Sequence, residues 1–277
     1  MNKIGIIGFG NMGSCLAQRL KSKKNQIWVF DKDKTKTQKL SQAKIADSNV
    51  DLVKKVGTVV LAIKPQDFAV TLEEIKGDTE GKLIVSIAAG ITTGHIEKAL
   101  GEVRVVRTMP NMPARIGKGM ICLCKGKFAS EEDLFFSREL FESLGVTLTL
   151  EEDMMNEATA VSGSGPGYAF DWIDRKKIDK DNEASIERFR EEFTVLLTGA
   201  AVGIGFMPKE ATKLAQATTD GSIALFKQSN LSVQELKKQI ASKGGTTEAA
   251  LEVLRIGGDL DDAVRAAAVR AAELYKS

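Results

Sequence analysis

Lys3-Ile4-Gly5-Ile6-Ile7-Gly8-Phe9-Gly10-Asn11-Met12-Gly13 is the stretch that decides the fold. An apolar run fit for a strand, Lys3–Ile7, passes directly into Gly8-x-Gly10-x-x-Gly13, and an amphipathic stretch, Met12–Lys21, follows. Glycines at this spacing are a weak signal alone. Between a strand and a helix each acquires a physical reason: Gly8 makes the tight turn, Gly10 lets backbone approach a pyrophosphate, and Gly13 lets the helix pack on the sheet. The free N–H groups and positive dipole end of the helix then hold the phosphates. We read Gly8, Phe9, Gly10, Asn11, Met12 and Gly13 as a dinucleotide-binding turn, ahead of the plainer reading of a glycine-rich βα turn.

Outward from this turn, the chain alternates β-rich runs with amphipathic stretches. Strands are expected at Lys3–Ile7, Gln26–Phe30, Thr58–Ala62, Leu83–Ile87, Val103–Thr108, Met120–Cys124 and Val146–Leu150, with helices such as Ser48–Val56 and Glu131–Leu144 between them. That pattern predicts an α/β domain of the doubly wound, Rossmann type with a parallel sheet over residues 1–151. After Glu151 the strand signal stops, and residues 152–277 read as all-helical, with Ile186, Phe189, Phe193, Leu196, Leu197, Ala200, Ala201 and Ile204 on one helix face. Small-residue runs at Thr198–Gly203 and Ala266–Ala268 allow close packing of helices and of subunits. The charged stretch between Arg175 and Arg190 reads as a solvated helix end and loop.

The second strand ends at Asp31, 23 residues after Gly8, near the spacing of about 20 for an acid that binds the ribose. Such an acid accepts from a 2′-hydroxyl and repels a 2′-phosphate, which predicts a preference for NADH. Lys32 and Lys34 beside it offer charge that would neutralise a 2′-phosphate, so NADPH remains open.

The 277 residues and 43% hydrophobic content suit a large buried core, and 39 basic against 37 acidic residues give a net charge of only +2. Nucleic acid is therefore not an expected partner, and a small molecule is. No segment approaches the roughly 18 consecutive apolar residues of a membrane span, and no secretory leader is expected ahead of the first strand. Three cysteines without framework spacing point to a reducing cytoplasm. His95 is the only histidine, so a Ser-His-Asp triad or an ordinary zinc site is not expected. Cys122 and Cys124 read as buried strand residues, and no metal is predicted.

Four further segments carry a family resemblance. Ala62-Ile63-Lys64-Pro65-Gln66 and Arg107-Thr108-Met109-Pro110-Asn111-Met112-Pro113 follow strands. Ser162-Gly163-Ser164-Gly165-Pro166 opens the helical part, and Gly244-Gly245-Thr246-Thr247 precedes its penultimate helix. With the N-terminal glycines, these resemble the pyrroline-5-carboxylate reductases along nearly the whole chain. The resemblance implies reduction of 1-pyrroline-5-carboxylate to L-proline with NADH or NADPH, the last step of proline biosynthesis. It also implies a helical domain that dimerises, often within a larger ring, and a substrate lying between the nicotinamide and that domain. Carried over residue by residue, Ala62, Ile63, Lys64, Pro65, Met109, Pro110 and Asn111 join Asp31 and Lys32 at the cofactor. Ser164, Gly244, Gly245, Thr246 and Thr247 fall at the substrate, with the Thr247 hydroxyl as donor to the imine nitrogen.

A helix N-terminus with two hydroxyls also suits a carboxylate on physical grounds alone. Ligands of open α/β sheets bind past the carboxyl ends of strands, where Ala62–Gln66 and Met109–Pro113 lie. The chain departs from the family at Lys243 in place of a proline, at Met112 in place of a threonine, and in the long charged stretch Asp171–Glu192. The competing readings are another reductase of this architecture, either a β-hydroxyacid dehydrogenase or an imine reductase for another ring, and a nucleotide-sensing protein without turnover.

Overall fold

The computed structural model describes residues 1–21, 24–38 and 43–276. The chain forms two compact units. One holds Met1–Thr108, Leu123–Ser143 and Thr149–Glu152; the other holds Met109–Cys122, Leu144–Leu148 and the chain from Asp153 on.

The first unit starts with β1 (Asn2–Ile7), buried from Ile4 onward as central parallel strands are. It leads through the glycine turn into α1 (Asn11–Arg19). Next come β2 (Asn25–Phe30), β3 (Lys44–Ile45), α2 (Asn49–Lys55), β4 (Thr58–Leu61) and α3 (Phe68–Ile75). The chain continues with β5 (Leu83–Ser86), α4 (Thr93–Leu100), β6 (Arg104–Pro110), β7 (Gly119–Lys125), α5 (Glu131–Phe141) and β8 (Gly145–Thr149), of which the end of β6, the start of β7 and most of β8 belong to the second unit. Local chemistry sets the helix starts. Ser48 Oγ accepts from Asp51 N–H at α2, Thr92 Oγ1 accepts from His95 N–H at α4, and Ser130 with Asp133 forms a capping box at α5.

The sheet order is β3-β2-β1-β4-β5-β6-β7-β8, and the pairs from β3 through β6 are parallel. The chain winds outward from β1 to β3, then returns to the other side of β1 at β4. That reversal is the switch point, where ligands of such sheets bind. The three central strands end level, Ile7 being opposite both Phe30 and Leu61, so Gly8, Asp31 and Ala62 begin their loops side by side.

The expected parallel sheet ends at β7. Gly126 N–H, just past β7, donates to Val105 O at the start of β6, so these two strands run antiparallel. The link between them is only Asn111–Lys118, too short for a crossover of about a dozen residues. Parallel pairing resumes with β8, where Leu150 N–H donates to Leu123 O after the α5 crossover. The core packs Leu52, Val53, Val59, Leu61, Phe68, Leu72, Ile75, Ile84 and Val105. Gly5 belongs to that packing, since a Cβ there would lie 2.2 Å from Leu52 Cδ2.

The second unit is built on α6 (Met155–Ala158), a π turn (Thr159–Gly163), α7 (Gly165–Arg175), α8 (Glu183–Gly203) and α9 (Pro208–Gln228). The chain ends with α10 (Val233–Ile240), α11 (Thr246–Arg255) and α12 (Leu260–Lys276). The helix read from Ile186 onward starts three residues earlier, at Glu183, inside the charged stretch. Asn182 caps α8 by accepting Ser185 N–H, and Ile186, Phe189 and Phe193 point inward at helical spacing. Likewise α7 starts earlier than its apolar spacing suggests, because Gly165 and Gly167 leave space for Thr218 and Thr247.

Candidate active site

At the switch point the glycines separate into two kinds. Gly8 has φ +96, and a Cβ on it would meet Ala62 O at 2.5 Å; one on Gly13 would meet Gly8 O at 2.0 Å. The fold itself requires both. A Cβ on Gly10 meets no protein atom within 4 Å, so nothing in the fold calls for glycine there. The space beside Gly10 is the cradle that a side chain would fill. Gly10 is the N-cap of α1 and offers no side-chain cap, which leaves the first-turn N–H groups from Asn11 on for an anion.

A cavity of about 810 Å³ opens from this turn, lined among others by Gly8, Gly10, Asp31, Lys32, Lys36, Asn49, Ala62, Ile63 and Lys64. Seven of these are sequence-predicted; Lys36 and Asn49 are not. Asn49 Nδ2 donates to Glu74 Oε2 at 2.6 Å, which fixes the amide orientation, and its buried Oδ1 has no partner among the described residues. An unmet acceptor in this cavity suits a ribose hydroxyl. A nicotinamide dinucleotide therefore fits the residues present, with N–H donors for phosphate and an acceptor for ribose.

Phe9 contributes backbone, its N–H donating to Asp31 Oδ2 at 2.6 Å. Lys64 caps a 3₁₀ turn that Pro65 opens. Arg107 is buried with Nη1 3.5 Å from Glu152, and Glu152 in turn accepts the Thr93 N–H and hydroxyl. Met109, Pro110 and Asn111 lie in the second unit. The Asn111 side chain is spent internally: Nδ2 donates to Ser162 O at 3.0 Å and Oδ1 accepts from Met120 N–H at 2.9 Å. Only its backbone is left for a ligand. Pro113 packs against Gly221 of α9, where a Cβ would lie 2.9 Å away.

In the second unit, Ser164, Thr246 and Thr247 come together across more than 80 residues of chain. Thr247 Oγ1–H donates to Ser164 Oγ at 2.9 Å, and Ser164 Oγ shares a second hydrogen bond of 2.9 Å with Thr246 Oγ1. Ser164 is 1% and Thr247 5% exposed, while Thr246 is half-buried. Ser164 follows the π turn, whose closing bond runs from Ser164 N–H to Thr159 O. Gly167 admits Thr247, since a Cβ there would lie 2.5 Å from Thr247 Cγ2.

The glycines before α11 have their N–H groups engaged. Gly244 N–H donates to Glu248 Oε2 at 2.6 Å and Gly245 N–H to Ser242 O at 2.9 Å, and Arg270 Nε donates to Gly244 O. Gly244 and Gly245 thus shape the loop, with Gly244 at φ +70. Thr246 and Thr247 carry the first-turn N–H groups that remain for a carboxylate.

Of the other chemistry-bearing residues, Cys15, Cys122 and Cys124 are buried and form no disulfide among the described residues. Burial pushes the Cys122 and Cys124 thiols up to about 12, far from reactive thiolate. His95 is exposed in the first turn of α4, with Thr92 as the cap. Among the described residues no His/Cys/Asp/Glu group is placed to hold a metal ion.

A doubly wound sheet with a dinucleotide cradle at its switch point, in a chain that continues into a helical unit, defines the class of NAD(P)-dependent oxidoreductases. Comparison with known proteins agrees and goes further. Residues 3–90 match the family model described as NADP oxidoreductase, coenzyme F420-dependent, and residues 191–274 match pyrroline-5-carboxylate reductase dimerisation. A pyrroline-5-carboxylate reductase of Aquifex aeolicus is 33% identical over 92% of this chain and 90% of its own. The structure of the Coxiella burnetii pyrroline-5-carboxylate reductase aligns at TM-score 0.65 and 28% identity, covering 100% of this chain and 99% of that one. The Plasmodium falciparum pyrroline carboxylate reductase, solved with NADP bound, aligns at 0.63 and 27%, covering 99% and 98%. This chain belongs to the pyrroline-5-carboxylate reductase family.

Proposed function

We propose that this chain reduces 1-pyrroline-5-carboxylate to L-proline with NADH or NADPH, as the last step of proline biosynthesis. The observation that carries the reading is the hydrogen-bonded cluster of Ser164, Thr246 and Thr247 at the start of α11, in a chain that matches 90% of the length of its Aquifex aeolicus relative. When bound, the reduced nicotinamide supplies the hydride for the imine carbon. The chain's residues bind and orient. Gly10 and the first turn of α1 hold the pyrophosphate, with Ala62–Pro65 along the cofactor. The N–H groups of Thr246 and Thr247 hold the substrate carboxylate.

The Thr247 hydroxyl hydrogen-bonds to the imine nitrogen and passes on the proton that nitrogen gains, with water restoring the hydroxyl's own proton. A hydroxyl has one hydrogen and two acceptor lone pairs, and it rotates to suit its partners. Without substrate the Thr247 hydroxyl gives its hydrogen to Ser164 Oγ; turned toward the imine nitrogen, it frees that hydrogen and accepts from Ser164 in its place. Ser164 is then the residue that orients Thr247, and its burial keeps competing water away.

The helical unit pairs two subunits. The dimerisation match covers residues 191–274, and this unit leaves Val195, Val202, Met207, Ile256 and Val269 exposed. A ring of such dimers is the larger assembly we propose. No described helix is long and apolar enough to cross a membrane, and three cysteines outside any disulfide among the described residues suit a reducing cytoplasm. The test is loss of the nicotinamide absorbance on mixing the protein with NADH or NADPH and 1-pyrroline-5-carboxylate. Failure of both cofactors to be oxidised refutes the assignment.

A further inference from the structure

Asp31 sits where an acid that binds ribose belongs, but its carboxylate is already occupied. Oδ2 accepts Phe9 N–H at 2.6 Å, Oδ1 accepts Asp33 N–H at 2.9 Å, and Lys36 Nζ lies 3.3 and 3.4 Å from the two oxygens. Asp31 is 8% exposed. Lys36 reaches it because Lys34–Lys36 forms a single 3₁₀ turn, started by Asp33 accepting Thr35 N–H. At three residues per turn, the chain folds back toward the end of β2. Lys32, the neighbour in sequence, instead pairs with Asp67 at 2.6 Å with its side chain 77% exposed.

A carboxylate at this place favours NADH in two ways: it accepts from the 2′-hydroxyl, and it repels a 2′-phosphate. Here both are blunted. Two backbone N–H groups and an ammonium take up its acceptor sites, and that ammonium offsets its charge. Yet the contact is longer than the roughly 2.7–2.9 Å of an optimised charge-assisted bond, so Lys36 is not locked onto Asp31. Its ammonium has three donors, its side chain is 43% exposed, and both residues line the same cavity.

We propose that Lys36 sets the cofactor choice, cancelling the charge of Asp31 and donating to the 2′-phosphate of NADPH, so that this chain takes NADPH at least as readily as NADH. The inference rests on the dinucleotide site of the first unit and not on the identity of the imine. Its test therefore omits the imine and turnover.

The probes are adenosine 2′,5′-bisphosphate and adenosine 5′-monophosphate, which differ only by the 2′-phosphate, titrated by calorimetry into the full chain. The unmodified protein should bind the bisphosphate at least as tightly. Lys36→Gln should weaken it by about five- to tenfold, the effect of one partly exposed charge, and leave the monophosphate within about twofold. Lys36→Arg should restore the preference. Tighter binding of the monophosphate by the unmodified protein, binding of neither nucleotide, or equal weakening of both in Lys36→Gln each overturns the proposal. A result in its favour stands even if 1-pyrroline-5-carboxylate is not reduced.

Discussion

The two halves of the proposed machinery are built in opposite ways. At the switch point of the first unit, the decisive residues are consecutive, and what they contribute is backbone and the absence of side chains at Gly8, Gly10 and Gly13. In the second unit, the decisive atoms are hydroxyls brought from positions 164, 246 and 247, and each is held by another. A backbone cradle reads in sequence as a spacing. A side-chain cluster reads only as separate fragments until the fold joins them.

The sharpest way to break this contrast is within the glycines. Gly10→Val should weaken dinucleotide binding by about 100-fold or more while leaving the thermal midpoint within a degree or so, because the side chain enters only the cradle. Gly13→Ala should do the reverse, costing about 2–4 kcal/mol of stability through a Cβ 2.0 Å from Gly8 O. Calorimetric titration and thermal denaturation of both variants separate the outcomes. If Gly10→Val keeps full affinity in a folded protein, the turn is structural throughout.

The same contrast explains what was legible. Lys3–Gly13 gave up its strand, turn and helix because each glycine's steric reason acts within a few residues. The two-residue β3 and the reversed β7 were not readable, since neither rests on a local pattern: β3 is only two exposed residues, and the direction of β7 follows from a short link. Asp31 was found by spacing, but its bonds to Phe9 and Asp33 N–H, and the return of Lys36, depend on the 3₁₀ turn that follows. The cations read beside it were Lys32 and Lys34, and Lys36 went unread. Asn111 sits in a motif-like loop, yet its amide is consumed by Ser162 and Met120. Asn49 carried the weak signal of a Ser-Asn start to a helix. For all of these, the deciding partner lies on another element.

On the hydroxyl side, Thr247→Ala should lower both kcat and kcat/KM by roughly 10- to 100-fold, or about 1.4–2.7 kcal/mol of transition-state stabilisation. Thr247→Ser should recover most of it, and cofactor affinity should hardly change. Steady-state kinetics with both substrates varied checks this. A rise in KM alone would make the hydroxyl a binding group and shift proton donation to water.

Whether that cluster works within a lone subunit is open to dilution. For an obligate dimer through the helical unit, each tenfold dilution should cost about 1.4 kcal/mol of apparent stability, with a falling thermal midpoint. Val195→Glu, on the exposed face of α8, should dissociate it, as light scattering would show. A fully active monomer at micromolar concentration contradicts the pairing.

Ser164→Ala sharpens the contrast, since it removes the atom that joins the two threonines and leaves both of them in place. We expect a three- to tenfold loss in kcat, about 0.7–1.4 kcal/mol, with KM little affected, as befits orientation of Thr247 rather than contact with the carboxylate. Ser164→Thr is no rescue in so tight a site, but Ser164→Cys keeps a weak donor and should fall between. An effect confined to KM would place Ser164 at the substrate itself.

The smallest effect is expected at Lys243, which stands where the family resemblance calls for proline. Its side chain is exposed, and no ion pair fixes it among the described residues, so its charge acts over distance through water. At that range, screening at physiological salt leaves a few tenths of a kcal/mol. Lys243→Ala should therefore raise KM about twofold with kcat unchanged, since attraction for a carboxylate acts on substrate and product alike, and the effect should vanish at high salt. Lys243→Pro tests the other half of the departure. Gly244 is at φ +70 with its carbonyl held by Arg270, so the loop is already ordered by neighbours. Proline at 243 should then add little to kcat and cost the same twofold in KM. A clear gain in kcat from Lys243→Pro would mean that the loop is looser than those bonds imply, and that the backbone before the threonines, not only their hydroxyls, limits the rate.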